Sequence, residues 1–381
     1  VPGRIAIAGA GLAGLSAAQE LRRLGHDGEI SMVGAESHRP YRRPPLSKDY
    51  LLDHDADVAL PGTGELGVTW LLGQAATGLD LAGRRLLRGA LPSVPFDALV
   101  IATGVRPRTL PGADGLRGVV TLRTLDDART LRDALAGRPR VVVAGAGFLG
   151  SEVAATLRAL DVPVTLVEPD RVPLRRPLGE QVGAIIADLH RAHDVDLRLG
   201  RRVSAVTGAG RVERVHLDDG TVLAADLLVA ALGAEPQVEW LHGSGVRLDG
   251  GVVVDRHGLA APRVAAAGDV ARWPSAMLGG ELIRVEHYSN AVEQGAHAVR
   301  ALLGIADRYD PVPSFWCDLY GHRLRSVGLT GAGYELRLLA HEPDGRFLAE
   351  YHHNGRVVGA VTAGFLRRLT TYRHLLTKEH A

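Results

Sequence analysis

The chain has 381 residues and a formal net charge of +1, with 46% hydrophobic and 23% charged residues. That length is more than one core holds, so two or three domains are expected, and a balance so near neutral argues against nucleic acid or a membrane surface as partner. Cys317 is the single cysteine, which excludes an intrachain disulfide, a Cys-x-x-Cys centre and a thiolate-held cluster.

The first predicted unit opens with residues 4–25, RIAIAGAGLAGLSAAQELRRLG: a short apolar strand, a glycine-rich turn, then a helix with apolar residues at helical spacing. Gly9, Gly11 and Gly14 form Gly-x-Gly-x-x-Gly around Leu12 and Ala13. The first glycine permits the tight turn, the second lets backbone approach a pyrophosphate, and the third lets helix and strand pack closely. The pyrophosphate then meets free N–H groups at the positive end of the helix. A second strand, ISMVGAE (30–36), brings Glu36 near its end, where an acid accepts hydrogen bonds from a ribose; Gly34 and Ala35 stand where that acid is first expected. After RPYRRPPLSKDYL (39–51), the strand DALVIATG (97–104) ends in Ala102, Thr103 and Gly104, small enough for backbone to pass a ligand. RPRTLPGADG (106–115) is rich in Pro and Gly and reads as a domain crossing.

The pattern then repeats. Residues 140–161, RVVVAGAGFLGSEVAATLRALD, carry Gly145, Gly147 and Gly150, with Phe148, Leu149 and Glu152 opening the helix. One such motif is a weak signal; two, each between a strand and an amphipathic helix, are a strong one. VTLVEPD (164–170) puts Glu168 at the ribose position, where a carboxylate favours NADH over NADPH, while Arg171, Arg175 and Arg176 pull the other way. DLLVAALG (226–233) echoes 97–104 and ends on Gly233, and AEPQ (234–237) marks the return crossing. Gly268 and Asp269 end the small-residue run of VAAAGDVA (264–271). Beyond about residue 310 the pattern changes to antiparallel strands with hairpin turns at Asp344-Gly345 and Asn354-Gly355, then a short helix.

The expected fold is α/β, with two Rossmann-like dinucleotide-binding domains and a C-terminal α+β domain. Residues 1–109 and 236–309 form one discontinuous dinucleotide-binding domain, 110–235 the second and 310–381 the third domain. No spanning apolar run or signal-peptide core is present, so a cytoplasmic location and no membrane contact are expected, with a monomer as the default and no metal site.

Taken together, these residues resemble the FAD-dependent NADH:ferredoxin reductases of oxygenase systems, the putidaredoxin-reductase-like family with a glutathione-reductase-type fold. The likeness spans essentially the whole chain and rests on the Pro-Pro-Leu-Ser-Lys run at 44–48, IATGVRPR (101–108), GAGFLGSEVA (145–154), VAAAGDVA, VEHYSNAVEQG (285–295) and FWCDLYG (315–321). The resemblance that these motifs carry implies FAD in the first dinucleotide-binding domain and NADH in the second. It also implies that Lys48 lies beside flavin N5, paired with Glu152. A cation there favours negative charge on the flavin, and the carboxylate keeps that cation charged when partly buried. Lys48 and Lys378 are the only lysines, which makes Lys48 more telling than a surface lysine beside a helix-start Glu. The likeness also makes Asp269 the acid that holds the flavin ribityl chain, with a helix N-cap as a parallel reading. Arg43 and Arg108 stand as pyrophosphate ligands or as solvated cations. Trp316 resembles the aromatic that closes over the isoalloxazine, against the rival reading of a core Trp, and His287 and Tyr288 stand where the family often has a tryptophan nearby. Cys317 replaces a common Ser and Leu319 a frequent Gln, which puts any polar contact at 319 in doubt.

The implied function is hydride transfer from NADH to FAD, followed by single-electron delivery to a ferredoxin that feeds a haem-thiolate monooxygenase or a Rieske dioxygenase. A rubredoxin reductase or an apoptosis-inducing-factor-like redox-sensing protein are the alternatives. The latter shares Lys48 and Glu152 but typically adds a long C-terminal insertion. The cysteine count defeats a disulfide reductase. Peroxidase-type relatives need a cysteine near 39–48, and membrane quinone reductases usually carry an apolar tail where this chain has FLRRLTTYRHLLTK (365–378).

Overall fold

The computed structural model describes residues 2–53, 55–113 and 115–379. Two parallel sheets carry the repeat. In the first, the strand Arg4–Ala8 lies between Glu29–Val33 and Ala98–Ile101, with Val68–Leu71 beyond the former and Val264–Ala266 beyond the latter; Leu259–Ala261 adds an antiparallel edge. In the second, Val141–Ala144 lies between Val164–Glu168 and Leu227–Ala230, flanked by Asp196–Leu199 and Val119–Val120. Each central strand is an apolar run buried on both faces, as parallel strands covered by helices require. Each runs straight into its glycine loop, so the ligand-facing crevice opens at the carboxyl ends of the strands, where their order reverses.

Small residues set how closely the helices pack. Helix Leu12–Arg23 buries Ala13, Ala17 and Ala18, and helix Tyr288–Leu302 crosses it at Gly295. A Cβ on Gly295 would lie 2.3 Å from the Ala13 carbonyl oxygen, so the two backbones nearly touch. The Pro- and Gly-rich crossings are less loose than their composition suggests. Val105–Pro107 and Ala234–Pro236 pair antiparallel and tie the two sheets together with a two-stranded ribbon.

The C-terminal sheet runs in the order Trp316–Leu319, His322–Gly328, Arg356–Ala363, Phe347–His353, Glu335–His341, antiparallel throughout. Asn354 and Gly355 form a two-residue turn with φ of +51° and +78°, as the Asn-Gly pair predicts. Gly345 also has a positive φ, in a longer loop between Glu335–His341 and Phe347–His353. The terminal helix, Leu366–Glu379, is longer than the short one expected and seats Leu376 in the core. The same core takes Leu178, Val182 and Ile186 from helix Arg175–Ala192, so this sheet packs on the second dinucleotide unit. At the tip of its first hairpin Tyr320 meets the end of that helix, with its hydroxyl 2.6 Å from His190 Nδ1 and its ring stacked on His193.

Candidate active site

A cleft of about 1050 Å3 runs between the two glycine loops and under the C-terminal sheet. The three glycines of each loop divide the work as their spacing predicts. A Cβ on Gly9 would lie 2.1 Å from the Ala102 carbonyl oxygen, and one on Gly145 would lie 2.3 Å from that of Ala231. Gly14 and Gly150 press in the same way on the carbonyls of Gly9 and Gly145, at 2.1 and 1.9 Å. Gly11 and Gly147 have nothing within 4 Å of the same point, so both middle glycines face open space. Helices Leu12–Arg23 and Phe148–Ala159 begin there with no capping side chain and no acid in the first turn. Helix Leu125–Leu135, by contrast, is closed by a Thr124–Asp127 capping box. Free N–H groups at two uncapped helix starts are what two pyrophosphates need.

Lys48 and Glu152 meet where the three parts of the chain converge. The Lys48 Nζ lies 2.6 Å from Glu152 Oε2, with the two side chains 14% and 10% exposed. Ser47 Oγ donates to the same carboxylate oxygen at 2.7 Å, and the Asp318 N–H donates to Glu152 Oε1 at 3.2 Å. One carboxylate thus joins the 44–48 turn, the second dinucleotide helix and the C-terminal sheet. Cys317, next to Asp318, is fully buried; burial pushes its thiol up, and the nearby Glu152 charge adds to that. Leu319 is also fully buried among apolar residues, so no polar contact survives at that position.

Glu36 and Asp269, the acids beside the first glycine loop, are both held by arginines. A side chain at position 34 would meet Ala10 Cβ at 2.5 Å, so no acid fits there and the first carboxylate after this strand is Glu36. The Glu36 carboxylate takes Arg43 Nη2 at 2.5 Å and the Tyr41 hydroxyl, and Arg43 also donates to the Arg123 carbonyl. Asp269 pairs with Arg123 Nη2 at 2.9 Å, while Arg284 Nη1 donates to the Asp269 carbonyl. The N-cap reading of Asp269 is corrected here. Ala267 holds the cap position of the short 3-10 turn, no side chain caps it, and the Asp269 carboxylate pairs with Arg123 instead.

Aromatic rings line the junction. Phe148 and Phe315 lie 4.7 Å apart, with His287 at 5.2 Å from Phe315. Burial pushes His287 down to about 4, and its Nδ1 is buried without a protein partner, an orphan that a bound ligand can satisfy. Trp316 is 37% exposed and stands edge-on to Tyr288 at 5.7 Å, so it is a wall of the cleft and not a core residue.

Among the expected residues, Leu12, Ala13, Ala102, Thr103, Gly104, Gly268, Tyr288, Leu149 and Gly233 line the cleft with those above. Gly14, Gly145 and Gly150 are set back as backbone spacers. Glu168 ends its strand and braces the second loop, accepting from the Ala146 and Asp170 N–H groups at 2.6 and 2.9 Å. Arg175 and Arg176 lie 3.6 and 3.9 Å from Asp170, outside the cleft walls. Arg108 is exposed at the crossing, and Arg106 instead pairs with Glu235 and Glu239. Sequence reasoning does not pick out Arg123, Tyr41 or Phe315. Phe315 had a visible signal in the FWCDLYG run and Tyr41 in RPYRRPPLSKDYL, five residues from its partner Glu36; Arg123 had none, because its partner Asp269 lies 146 residues away.

The family described as pyridine nucleotide-disulphide oxidoreductase matches residues 3–295. The chain belongs to that family. This oxidoreductase is 39% identical to the ferredoxin reductase component of chlorobenzene dioxygenase from Cupriavidus sp. (strain PS12), across 94% of this chain and 88% of the relative. It is 34% identical to putidaredoxin reductase from Pseudomonas putida, across 94% and 88%. The solved covalent complex of putidaredoxin reductase with putidaredoxin superposes with a TM-score of 0.92 at 32% identity, covering 98% of this chain and 93% of that one. The oxidoreductase uses FAD and NAD(H), as its family does. The two open glycine loops, the uncapped helices and the orphan nitrogen of His287 fit those two dinucleotides. The disulphide half of the family name has no counterpart here, because the single cysteine is buried and pushed away from its thiolate.

Proposed function

We propose that this chain is an NADH-dependent ferredoxin reductase, which moves electrons from NADH through FAD, singly, to a ferredoxin that serves an oxygenase. The observation that carries this reading is the buried Lys48–Glu152 pair at the meeting of two dinucleotide loops, in a chain without a second thiol. FAD, when bound, supplies the conversion between a two-electron hydride donor and one-electron acceptors.

The protein's own residues do the rest. The loops at Gly9–Gly14 and Gly145–Gly150 bind the two pyrophosphates through helix N–H groups, with Arg43 adding charge on the flavin side. Glu36 and Asp269 orient hydroxyl groups of FAD, and Arg43 and Arg123 keep both carboxylates in place. Glu168 recognises the adenosine ribose of NADH. Lys48 places a fixed positive charge in the cleft, and Glu152 holds it there. Phe148, Phe315, Tyr288 and Trp316 exclude water from the junction. On this reading residues 1–109 with 236–309 bind FAD, 110–235 bind NADH, and 310–381 cover the cleft. The working location is the cytosol and the working unit a monomer. Among the described residues no helix is long and apolar enough to cross a membrane.

An anaerobic titration of the purified yellow protein tests the proposal. One NADH per flavin is expected to bleach the flavin absorbance, with NADPH much poorer, and the reduced protein is expected to reduce a plant-type or Rieske-type ferredoxin. Flavin left oxidised by NADH, or no electron transfer to any ferredoxin, would sink it.

A further inference from the structure

Helix Phe148–Ala159 holds the 44–48 turn at two points one helical turn apart. Glu152 takes the Ser47 hydroxyl and the Lys48 ammonium. Four residues on, Thr156 donates its hydroxyl to the Ser47 carbonyl at 2.7 Å, and both residues are buried. A helical threonine ordinarily turns its hydroxyl back to the carbonyl four residues earlier. Thr130 and Thr377 do so in this chain, bonding to the carbonyls of Asp126 and Arg373. Thr156 points across a boundary instead.

Its acceptor matters, because the Ser47 carbonyl belongs to the peptide whose nitrogen is that of Lys48. The Lys48 N–H is itself bonded to the Pro45 carbonyl at 3.0 Å. Both ends of this peptide are therefore fixed, and its plane sets the direction in which the Lys48 side chain leaves the backbone. We propose that Thr156 is a positioning residue for Lys48, through which the helix that starts at the NADH loop sets the place of the ammonium in the flavin cleft. This rests on the reading of Lys48 as the flavin-facing cation.

The test compares Thr156→Val, Thr156→Ser and Lys48→Gln in the flavin-loaded protein. Two quantities are read: the midpoint potential of the bound flavin by dye equilibration, and the rate of flavin reduction by NADH in an anaerobic stopped-flow instrument. Thr156→Val is expected to shift the potential in the same direction as Lys48→Gln, by less, and to slow reduction by roughly three- to tenfold, as small misplacements of an active group do. Thr156→Ser, which keeps the hydroxyl, is expected to restore both. A purely structural threonine would alter thermal stability and leave the potential alone. If Thr156→Val does not retain flavin, Thr156→Ala removes the hydroxyl without pressing a methyl on the Ser47 carbonyl and carries the same comparison. An unchanged potential and rate in the threonine variants, with a clear shift in Lys48→Gln, would overturn the inference and leave the Lys48 reading standing. No shift in Lys48→Gln itself would remove the Lys48 reading, and the inference with it.

Discussion

Lys48 and Glu152 are nearly out of solvent, so each is costly without the other. Removing one partner of such a pair typically costs about 3–5 kcal/mol, whereas replacing both with apolar residues costs less. Glu152→Leu is therefore expected to lower the urea midpoint strongly, and Lys48→Met with Glu152→Leu to recover part of the loss. Equal loss in single and double variants would mean that Glu152 acts mainly through Ser47 and the Asp318 N–H. Beside the second glycine loop, Asp170 faces both Arg175 and Arg176 and donates its N–H to Glu168. On the proposed reading of this loop as the NADH site, those ion pairs would keep the two guanidinium groups from serving a 2′-phosphate. Asp170→Asn is expected to raise the NADPH/NADH ratio of kcat/KM roughly tenfold, the worth of one charge-assisted hydrogen bond. An unchanged ratio would leave the preference to Glu168 alone. The place of Glu168 at the end of its strand was legible because it follows a glycine motif at a regular distance, and the Lys48–Glu152 pairing because the Pro-Pro-Leu-Ser-Lys run resembles a known family in a chain with only two lysines. Arg123 was not, because its meaning comes from Asp269, which only the folded sheet brings near it.

The two glycine loops show why elements were easier to read than side-chain partners. A strand, a turn and a helix are local patterns with their own period, and the repeat supplied each twice. The loops also predict opposite outcomes for chemically equal substitutions. Gly147 has φ of −71° and open space around it, so Gly147→Ala is expected to fold, keep its flavin and raise the KM for NADH about tenfold, the effect of a Cβ where a pyrophosphate must approach. Gly150→Ala would put a Cβ 1.9 Å from the Gly145 carbonyl oxygen and is expected to lower thermal stability instead. Measuring KM and unfolding midpoint on both variants checks the division; matching profiles would refute it. The crossings at 105–107 and 234–236 were readable as breaks but not as a paired ribbon, since strand pairing across 127 residues leaves no periodic trace.

At the scale of the whole molecule, the C-terminal sheet is fastened to the second dinucleotide unit around Tyr320 and the fully buried His190. Burial, with His193 alongside, pushes His190 down to about 4. As pH falls from about 6.5 to 4 the unfolded chain gains a proton that folded His190 refuses, so stability falls, by about 2 kcal/mol between pH 7 and 5 from this residue. Urea midpoints are expected to drop over that range and to drop less in His190→Gln; identical slopes would move the effect elsewhere. The first sheet has a different consequence, in the order of synthesis. Strands Arg4–Ala8, Glu29–Val33 and Ala98–Ile101 leave the ribosome early, yet their sheet waits for Val264–Ala266, and Ala13 waits for Gly268 to close over it. The second sheet draws all its strands from residues 119–230 and has no such wait. The middle sheet of the nascent chain can therefore be completed before the first, and the first glycine loop, though made earlier, is the later of the two to be ready for its passenger.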